Sequence, residues 1–341
     1  MFTWLRILRS LAFDFRLNWY MSGVSRVAIS QRVTMGFSIR KYLIFVPLST
    51  SSIVLGAPTK ANLSPGPAHS DEASTTLTAR CLETLKKLPG TYNAHKVNRL
   101  CGQVKTLTSC LSVKGENIYH YDNFARKDSA KRVLVISVIH GDEAESGGVA
   151  RRWMERLVDI NARNSWRIIP LANPDGWRTK TRTNANGVDL NRNFPSEDWN
   201  RLAHKYWLKK KNQDPRRNPG KSPASEPETR CLVNHIEEFK PDFIVAVHTP
   251  YGILDFDGPK IEVPKFKGLP WVSLGTFPGS LGRYMWKDQQ VPVLTVELKD
   301  ASLLAKLEDV DFLQDIAGTV AIKTSKQMST RKDSASAVKA N

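Results

Sequence analysis

Apolar strands and amphipathic helices alternate through the middle of the chain. Residues 131–139 (KRVLVISVI) become continuously apolar after two basic residues, which is typical of a strand buried on both faces of a sheet. Val149, Trp153, Leu157 and Ile160 then recur at helical spacing and predict a helix. A strand pair is predicted within 112–124, further apolar strands at 166–171, 242–247 and 293–296, and further helices at 225–239, opened by a capping box, and at about 302–322. This alternation predicts a single α/β domain with a mixed, largely parallel sheet flanked by helices.

The segments on either side of this pattern differ in composition. Residues 58–78 are rich in Ser, Thr, Pro, Ala and Gly and are predicted to be a linker. The domain is predicted to span 79–324, and it begins with a cysteine-bearing lead-in, 79–110, that carries one or two helices. The polar stretch 325–341 predicts a disordered tail.

Residues 1–57 are predicted to be an N-terminal extension that ends in a signal peptide for export to the periplasm. Arg40 and Lys41 precede a short apolar run and small residues, the pattern of a secretory signal, and Met35 is a natural start for it. The run is short for a membrane span, so no stable span is expected in the mature chain. The competing interpretation is an amphipathic anchor within residues 1–34, where apolar residues recur at helical spacing between arginines.

The four cysteines predict a disulfide rather than a metal site. None of them has CxxC spacing, so a cysteine-based zinc site is not expected. In an exported protein the first three could form one disulfide near the start of the domain, and spacing alone leaves the pair open. The four are Cys81, Cys101, Cys110 and Cys231.

The chain is strongly basic, with 50 Lys and Arg against 33 Asp and Glu and a net charge of +17. The first 57 residues hold seven Lys or Arg and one acid, so the remainder still carries 43 basic against 32 acidic residues. No zinc finger, aromatic RNA-binding motif or basic helix accompanies this charge, so nucleic acid is not an expected partner. The basic run formed by 209–211 with Arg216 and Arg217 is either a solvated loop or an attraction for an anionic polymer.

Candidate metal ligands follow the predicted buried strands. His140 and Glu143, in HGDE, come after the first strand, and His248 comes after the strand 242–247. Open α/β sheets bind ligands at the carboxyl ends of their strands. Two histidines and one glutamate, with one coordination position left open, form a catalytic zinc set. Taken alone, HGDE could equally cap a helix; His120 and His235 are less well placed as third ligands.

Glu297 is the candidate general base. It ends the predicted strand 293–296, and an acid beside such an apolar segment is costly unless it is paired or used for proton transfer. As a base it would take a proton from water and pass it to the leaving amine. The alternative is a structural salt bridge to Arg192 or Arg283.

The segment 173–195 (NPDGWRTKTRTNANGVDLNRNFP) supplies candidate groups for binding anions. A guanidinium can hold a carboxylate with two parallel hydrogen bonds or stabilise an oxyanion. Arg182 is therefore the candidate oxyanion group, and Asn191 with Arg192 is the candidate carboxylate clamp. Each arginine alone could be an ordinary surface residue, and Asp189 could either orient a ligand histidine or belong to a turn.

In this order, HGDE, NPDG, RTNANGVDLNRNFP, SPASEPET, VHTPYG and VLTVELKD resemble the motifs of M14 zinc carboxypeptidases, and within that family the bacterial murein peptide amidase group. The resemblance covers about residues 100–300 and implies a zinc-carboxypeptidase-like domain with one zinc ion. It implies cleavage of the γ-D-glutamyl–diaminopimelate amide bond in cell-wall peptides. It also implies zinc ligands His140, Glu143 and His248, catalytic Glu297, an oxyanion-side Arg182, and Asn191 with Arg192 on the substrate carboxylate.

Several alternatives remain beside this interpretation. A general metallocarboxypeptidase that removes C-terminal residues would use the same groups, and a non-catalytic binder of anionic cell-envelope polymers would use the basic surface. Aspartoacylase-like relatives also have His-x-x-Glu zinc sites, but the intact NPDG and GVDLNRNFP segments favour the peptidases. The tyrosine expected some twenty residues before the catalytic Glu is replaced around Gly275 and Thr276, with Tyr251 and Tyr284 as possible substitutes. The basic insertion 199–221 is a candidate lid.

Overall fold

The computed structural model describes residues 69–266 and 268–339, so the predicted extension and signal peptide, 1–57, lies outside the described residues. Within them, seven strands form one sheet in the order β1-β2-β4-β3-β5-β7-β6. The strands are β1 Lys105–Leu111, β2 Asn117–Asn123, β3 Arg132–Ser137, β4 Ser165–Ile169, β5 Phe243–His248, β6 Ile253–Asp257 and β7 Val293–Glu297.

Helices cover the sheet, and short helical turns connect them. The α-helices are α1 His69–Lys87, α2 Ala94–Cys101, α3 Ala144–Leu157, α4 Pro174–Thr179, α5 Trp199–Lys210, α6 Pro227–Phe239 and α7 Leu307–Lys339. Three 3₁₀ turns, Leu190–Arg192, Pro215–Arg217 and Ala301–Ala305, and one π-helical segment, Arg283–Asp288, complete the described elements. No helix in the described part of the chain combines the length and apolar character that a bilayer crossing requires.

The centre of the sheet is parallel and its edges are antiparallel. Strands β4, β3, β5 and β7 run parallel, whereas β1, β2 and β6 pair antiparallel with their neighbours. The predicted α/β fold with a mixed sheet is therefore confirmed. The parallel part is limited to the four central strands, whose carboxyl ends lie side by side at one edge of the sheet.

The core lies on both faces of this sheet, which explains the continuous apolar runs. Side chains alternate between faces along a strand. Thus Val133 and Val135 pack with Trp153 of α3 on one face, whereas Leu134 and Ile136 pack with α6 on the other. The same alternation places the odd-numbered residues of β7, including Glu297, on the α6 side of the sheet.

The cysteine-bearing lead-in packs on α3. The guanidinium of buried Arg151 donates to the carbonyl oxygens of Leu85 and Leu88 at the end of α1, at 2.8 and 2.7 Å. Two disulfides form, Cys81–Cys101 within the lead-in and Cys110–Cys231 between β1 and α6. The first is one of the pairs that the spacing left open, and the second was not anticipated because its cysteines are 121 residues apart.

Several element ends differ from the predictions. Helix α3 stops at Leu157, so Ile160 is exposed beyond it. The capping box predicted for α6 is wrong: the N-cap is Glu226 and makes no side-chain cap bond. Helix α1 already begins within the predicted linker, and α7 continues through most of the predicted tail.

Gly141 should limit how the loop after β3 packs on α4, because a Cβ at this position would overlap the backbone of Gly176 and Trp177. We expect Gly141→Ala to lower the free energy of unfolding by about 2 kcal/mol, the usual cost of overpacking. Gly102→Ala is the matched control, since φ there is −70° and an added Cβ meets its nearest neighbour at an ordinary 3.5 Å. Urea denaturation measures both, and equal effects would contradict this account.

Candidate active site

The predicted metal ligands and Glu297 meet at the carboxyl ends of the parallel strands. His140 and Glu143 follow β3, His248 ends β5, and Glu297 ends β7. His248 lies directly beside Glu297 in the register of β5 and β7. All four line one cavity of about 590 Å³, together with Arg182, Asn191 and Arg192.

His140, Glu143 and His248 form a buried cluster. Nδ1 of His140 lies 2.7 Å from Oε1 of Glu143, and Nδ1 of His248 lies 2.8 Å from Oε2 of the same carboxylate. The ligand atoms of the three residues all lie within 4.8 Å of one another. Two imidazole nitrogens and one carboxylate are a donor set that fits zinc, so the predicted triad is assembled in the structure.

The charges within this cluster depend on one another. Burial alone would raise the pKa of Glu143, but the two histidines outweigh it and hold the pKa well below the usual range. Burial lowers the pKa of His248, yet Glu143 more than compensates, so the net shift is upward. Glu143 therefore stays ionised between the two rings, as a metal ligand must.

Asp189 contacts His140 of the cluster and also forms part of the turn that carries Asn191. With the proton on Nε2, His140 donates to Oδ1 of Asp189 at 3.1 Å, which leaves Nδ1 with a free lone pair for a metal. The same carboxylate accepts from Nε of Arg182 at 3.1 Å and from the backbone N–H of Asn191 at 3.0 Å. Asp189 is therefore placed both to orient a candidate ligand histidine and to form a turn, the two interpretations that the sequence left open.

Arg182 lies beside the metal ligands. Its Nη1 donates to Oε1 of Glu143 at 3.4 Å, and its Nε also donates to the carbonyl oxygen of Arg216 at 3.1 Å. Its side chain is 12% exposed, so the guanidinium is held in place at the cavity wall. A fixed cation here can stabilise negative charge that develops on a carbonyl oxygen.

Asn191 and Arg192 also line the cavity. Arg192 is buried, its guanidinium packs over the ring of Phe277 at 4.8 Å, and its Nε has no hydrogen-bond partner among the described residues. Oδ1 of Asn191 accepts from the backbone N–H of Leu281 at 2.8 Å, which fixes the amide. The pair is placed to bind an anion, in keeping with the predicted carboxylate clamp.

Glu297 is a buried carboxylate without an ion pair among the described residues. Its Oε2 has no hydrogen-bond partner there, and the predicted alternative of a salt bridge is not formed, since Arg283 pairs with Asp198 instead. Burial raises the pKa of Glu297 despite the opposing effect of His248. A carboxylate in this state can accept a proton more readily than a solvated one.

Of the two tyrosines and two histidines also considered from the sequence, only Tyr251 lies at the cavity. Tyr251 lines the cavity and is 58% exposed, whereas Tyr284 is buried against Phe194. His120 and His235 lie together, with ring centroids 4.8 Å apart, in the core rather than at the cavity. Burial lowers the pKa of His235 to about 3, so it stays neutral.

Two groups of cavity residues were not assigned to the site from the sequence. Lys211, Arg216 and Arg217 of the basic insertion form part of the wall, so the candidate lid reaches the site. Asp255 and Asp257 of β6 also line the cavity. Their spacing of two on a short strand was a usable signal, but β6 itself was not predicted.

Asp189 should control metal affinity without touching the metal. In Asp189→Asn the amide can still meet His140, but it cannot neutralise Arg182 or fix the basic tautomer of the imidazole. We expect zinc affinity to fall by about 10- to 100-fold, as is usual for such supporting groups. Competition titration with a chromogenic chelator measures this. Asp159→Asn, at an exposed ion pair with Lys96 and Arg99, is the control, and an unchanged affinity in Asp189→Asn would refute the assignment.

The sequence and structure were compared with known proteins. A family model described as zinc carboxypeptidase matches residues 68–254, more than half of the chain. Murein peptide amidase A of Vibrio campbellii is 32% identical over 199 residues, which cover 56% of this chain and 78% of that protein. Murein peptide amidase A of Escherichia coli K12 is 32% identical over 124 residues, which cover 36% of this chain and 50% of that protein.

Solved structures agree on the fold. Bovine thrombin-activatable fibrinolysis inhibitor, in complex with tick carboxypeptidase inhibitor, superposes with a TM-score of 0.51 at 16% identity, covering 76% of this chain and 98% of that chain. At this identity the likeness concerns the fold alone. Since the family match spans more than half of the sequence and includes the three residues placed to hold a metal ion, the chain belongs to the zinc carboxypeptidase family and is a zinc-dependent hydrolase.

Proposed function

We propose that this protein is a murein peptide amidase that hydrolyses the γ-D-glutamyl–meso-diaminopimelate bond of cell-wall peptides. The observation that carries the proposal is one cavity lined by the candidate zinc triad, by Glu297, whose Oε2 has no hydrogen-bond partner among the described residues, and by Arg192. The relatives named murein peptide amidase A support the choice of substrate. Zinc bound by His140, Glu143 and His248 would supply the Lewis acidity that activates water and polarises the amide carbonyl.

The protein's own groups supply the remaining chemistry. Oε2 of Glu297 takes a proton from the attacking water, and the same carboxyl group then gives the proton to the departing amine nitrogen. Arg182 offers N–H donors to the carbonyl oxygen as negative charge develops on it. Asn191 and Arg192 bind the free carboxylate of the residue that leaves, which fixes the amide bond relative to Glu297.

The basic wall favours a cell-wall peptide over an ordinary one. A γ-linked glutamate keeps its α-carboxylate free, so this substrate carries negative charge on both sides of the bond to be cut. Lys211, Arg216 and Arg217 line the cavity beside the arginines of the site, and would attract that second carboxylate. An ordinary peptide, with an amide at this place, would gain nothing from them.

A cleavage assay tests the proposal directly. The zinc-loaded protein is expected to release diaminopimelate from Ala-γ-D-Glu-diaminopimelate and to act far more slowly on peptides with ordinary α-linked C-terminal residues. Chromatography of the released amines measures both. Release from the ordinary peptides only would support the general metallocarboxypeptidase and overturn the cell-wall assignment.

Glu297→Gln separates catalysis from binding. We expect kcat on the tripeptide to fall by about 100-fold or more, because the proton acceptor is lost while zinc affinity is kept. A non-catalytic binder of anionic polymers predicts the reverse: Glu297→Gln would be silent, whereas charge reversal at 209–211 would abolish function. Metal analysis beside the kinetics decides, since a metal-free protein that zinc does not activate would favour the binder.

Export to the periplasm belongs to the same proposal. The signal pattern that follows Arg40 and Lys41 and the presence of two disulfides both support an oxidising compartment. We expect the mature protein to be found in the periplasmic fraction, with all four cysteines in disulfides and therefore not alkylated. When Arg40 and Lys41 are both changed to Glu, we expect the protein to stay in the cytoplasm. Alkylatable thiols in a cytoplasmic wild-type protein would refute export.

A further inference from the structure

A second cluster of metal-ligating side chains lies between β1, β2 and α6, outside the active-site cavity. The sulfur atoms of Cys110 and Cys231 and a ring nitrogen of His235 all lie within 4.8 Å of one another. The ring of His120 lies beside them, with its centroid 4.8 Å from that of His235. Two cysteine sulfurs and two imidazoles are the donor set of Cys₂His₂ zinc sites.

The fold brings these four side chains together from three elements. Cys231 and His235 are four residues apart on α6 and therefore lie on one face of the helix. His120 is two residues after Ile118 on β2, and Ile118 belongs to the same core cluster as Cys110 and Cys231, so His120 lies on the α6 side of the sheet as well. All four candidate ligands are at most 1% exposed. Local spacing carries no sign of this cluster, because β1 and α6 are far apart along the chain.

The two histidines have ring nitrogens that are buried and unused. Neither ring nitrogen of His235 has a hydrogen-bond partner among the described residues, and the same holds for Nδ1 of His120. Burying a polar atom without a partner is costly, so native proteins almost always supply one. A bound ion or an internal water is the kind of partner that these nitrogens lack.

The surroundings of His120 are those of a metal ligand. Its Nε2 lies 3.5 Å from Oδ2 of Asp122, and Arg167 donates to both oxygens of that carboxylate, at 2.8 and 3.0 Å. A carboxylate beside Nε2 keeps the proton there and leaves the lone pair on Nδ1, which is the nitrogen without a partner. Histidines that bind metals are commonly oriented by a carboxylate in this way.

The oxidation state of the two cysteines decides whether a metal can bind here. In the structure they form the disulfide Cys110–Cys231, and a disulfide sulfur has no thiolate charge to offer a metal. A dithiol reductant supplies two electrons and two protons, which convert the S–S bond into two thiols while the reductant itself becomes a disulfide. A zinc ion then displaces both thiol protons. Two thiolates balance the charge of Zn²⁺, so the buried site is neutral overall.

We propose that in the reduced protein Cys110, His120, Cys231 and His235 bind one zinc ion. The ion and the disulfide are then alternative cross-links between the β1–β2 edge of the sheet and α6, and exchange with an oxidised dithiol restores the S–S bond and releases the metal. Ligand atoms in a tetrahedral site of this kind lie about 3.5 Å apart, so opening the S–S bond and small side-chain rotations are sufficient. The inference does not depend on which bond the active site cleaves.

Cobalt spectroscopy tests the site in the wild-type protein. Cobalt(II) can replace zinc, and a cobalt–thiolate bond gives a near-ultraviolet charge-transfer band. The active-site triad contains no sulfur, so this band reports only on cysteines. After treatment with dithiothreitol and desalting without oxygen, we expect the band to appear, together with one more bound metal ion per chain than in the oxidised protein. Added zinc should then remove the band, because zinc binds such sites more tightly.

The same titration can overturn the proposal whether or not any variant folds. A reduced protein that circular dichroism shows to be folded, and that gives no band and no additional metal ion, would mean that the histidines contact internal water only. A band that grows only as the reduced chain unfolds would also count against the site, since thiols of an unfolded chain can bind metal.

Substitutions then assign the band to these side chains. His235→Gln removes one ligand, and we expect cobalt binding to weaken by at least about 100-fold, more than the loss of a supporting group usually costs. His95→Gln, at an exposed position on α2, is the matched control and should bind as the wild type does. The double change Cys81→Ser with Cys101→Ser should keep the band, because no third ligand joins this pair in the described part of the chain. Full affinity in His235→Gln, or loss of the band in the double variant, would refute the assignment.

Discussion

The contact between His140 and the buried carboxylate of Asp189 is the interaction on which the rest of the site depends. It fixes which imidazole nitrogen faces Glu143, and the same carboxylate holds Arg182 and the backbone of Asn191. Burial opposes ionisation of Asp189, but Arg182 and His140 outweigh it and keep the pKa well below the usual range. One charge therefore links the candidate metal ligands, the candidate oxyanion group Arg182 and the turn that carries the candidate carboxylate clamp.

The cavity is lined by separate groups of acidic and basic side chains. Its lining combines the candidate zinc triad and Glu297 with the cations Lys211, Arg216 and Arg217 and the carboxylates Asp255 and Asp257. Acidic and basic side chains that line one cavity could form ion pairs with each other. Among the described residues Arg216 pairs with Asp142 and Arg217 with Asp214, while β6 fixes the positions of Asp255 and Asp257, so the two groups do not pair with each other.

Much of the fold follows from local patterns in the sequence, and the failures have physical causes. The central strands were predictable because both of their faces are buried, which leaves a continuous apolar run. The residues after β3, β5 and β7 could be grouped because parallel strands end at one edge. Strand β6 was missed because ILDFD places acids where a core strand would have apolar residues. The capping box failed because Glu228 instead bonds Asn184 and the backbone of Val113.

The part of the basic insertion that follows α5 has a consequence for how this chain can diverge. Its backbone accepts hydrogen bonds from the site itself: the carbonyl of Arg216 from Arg182, and the carbonyl of Asn218 from the backbone of Asp189. A surface loop ordinarily tolerates changes of length. This one does not have that freedom, because a deletion would remove acceptors from the residues that orient the metal ligands. Its exposed side chains, and with them the charge of the cavity wall, can change, but the path of its main chain must stay the same for the site to be kept.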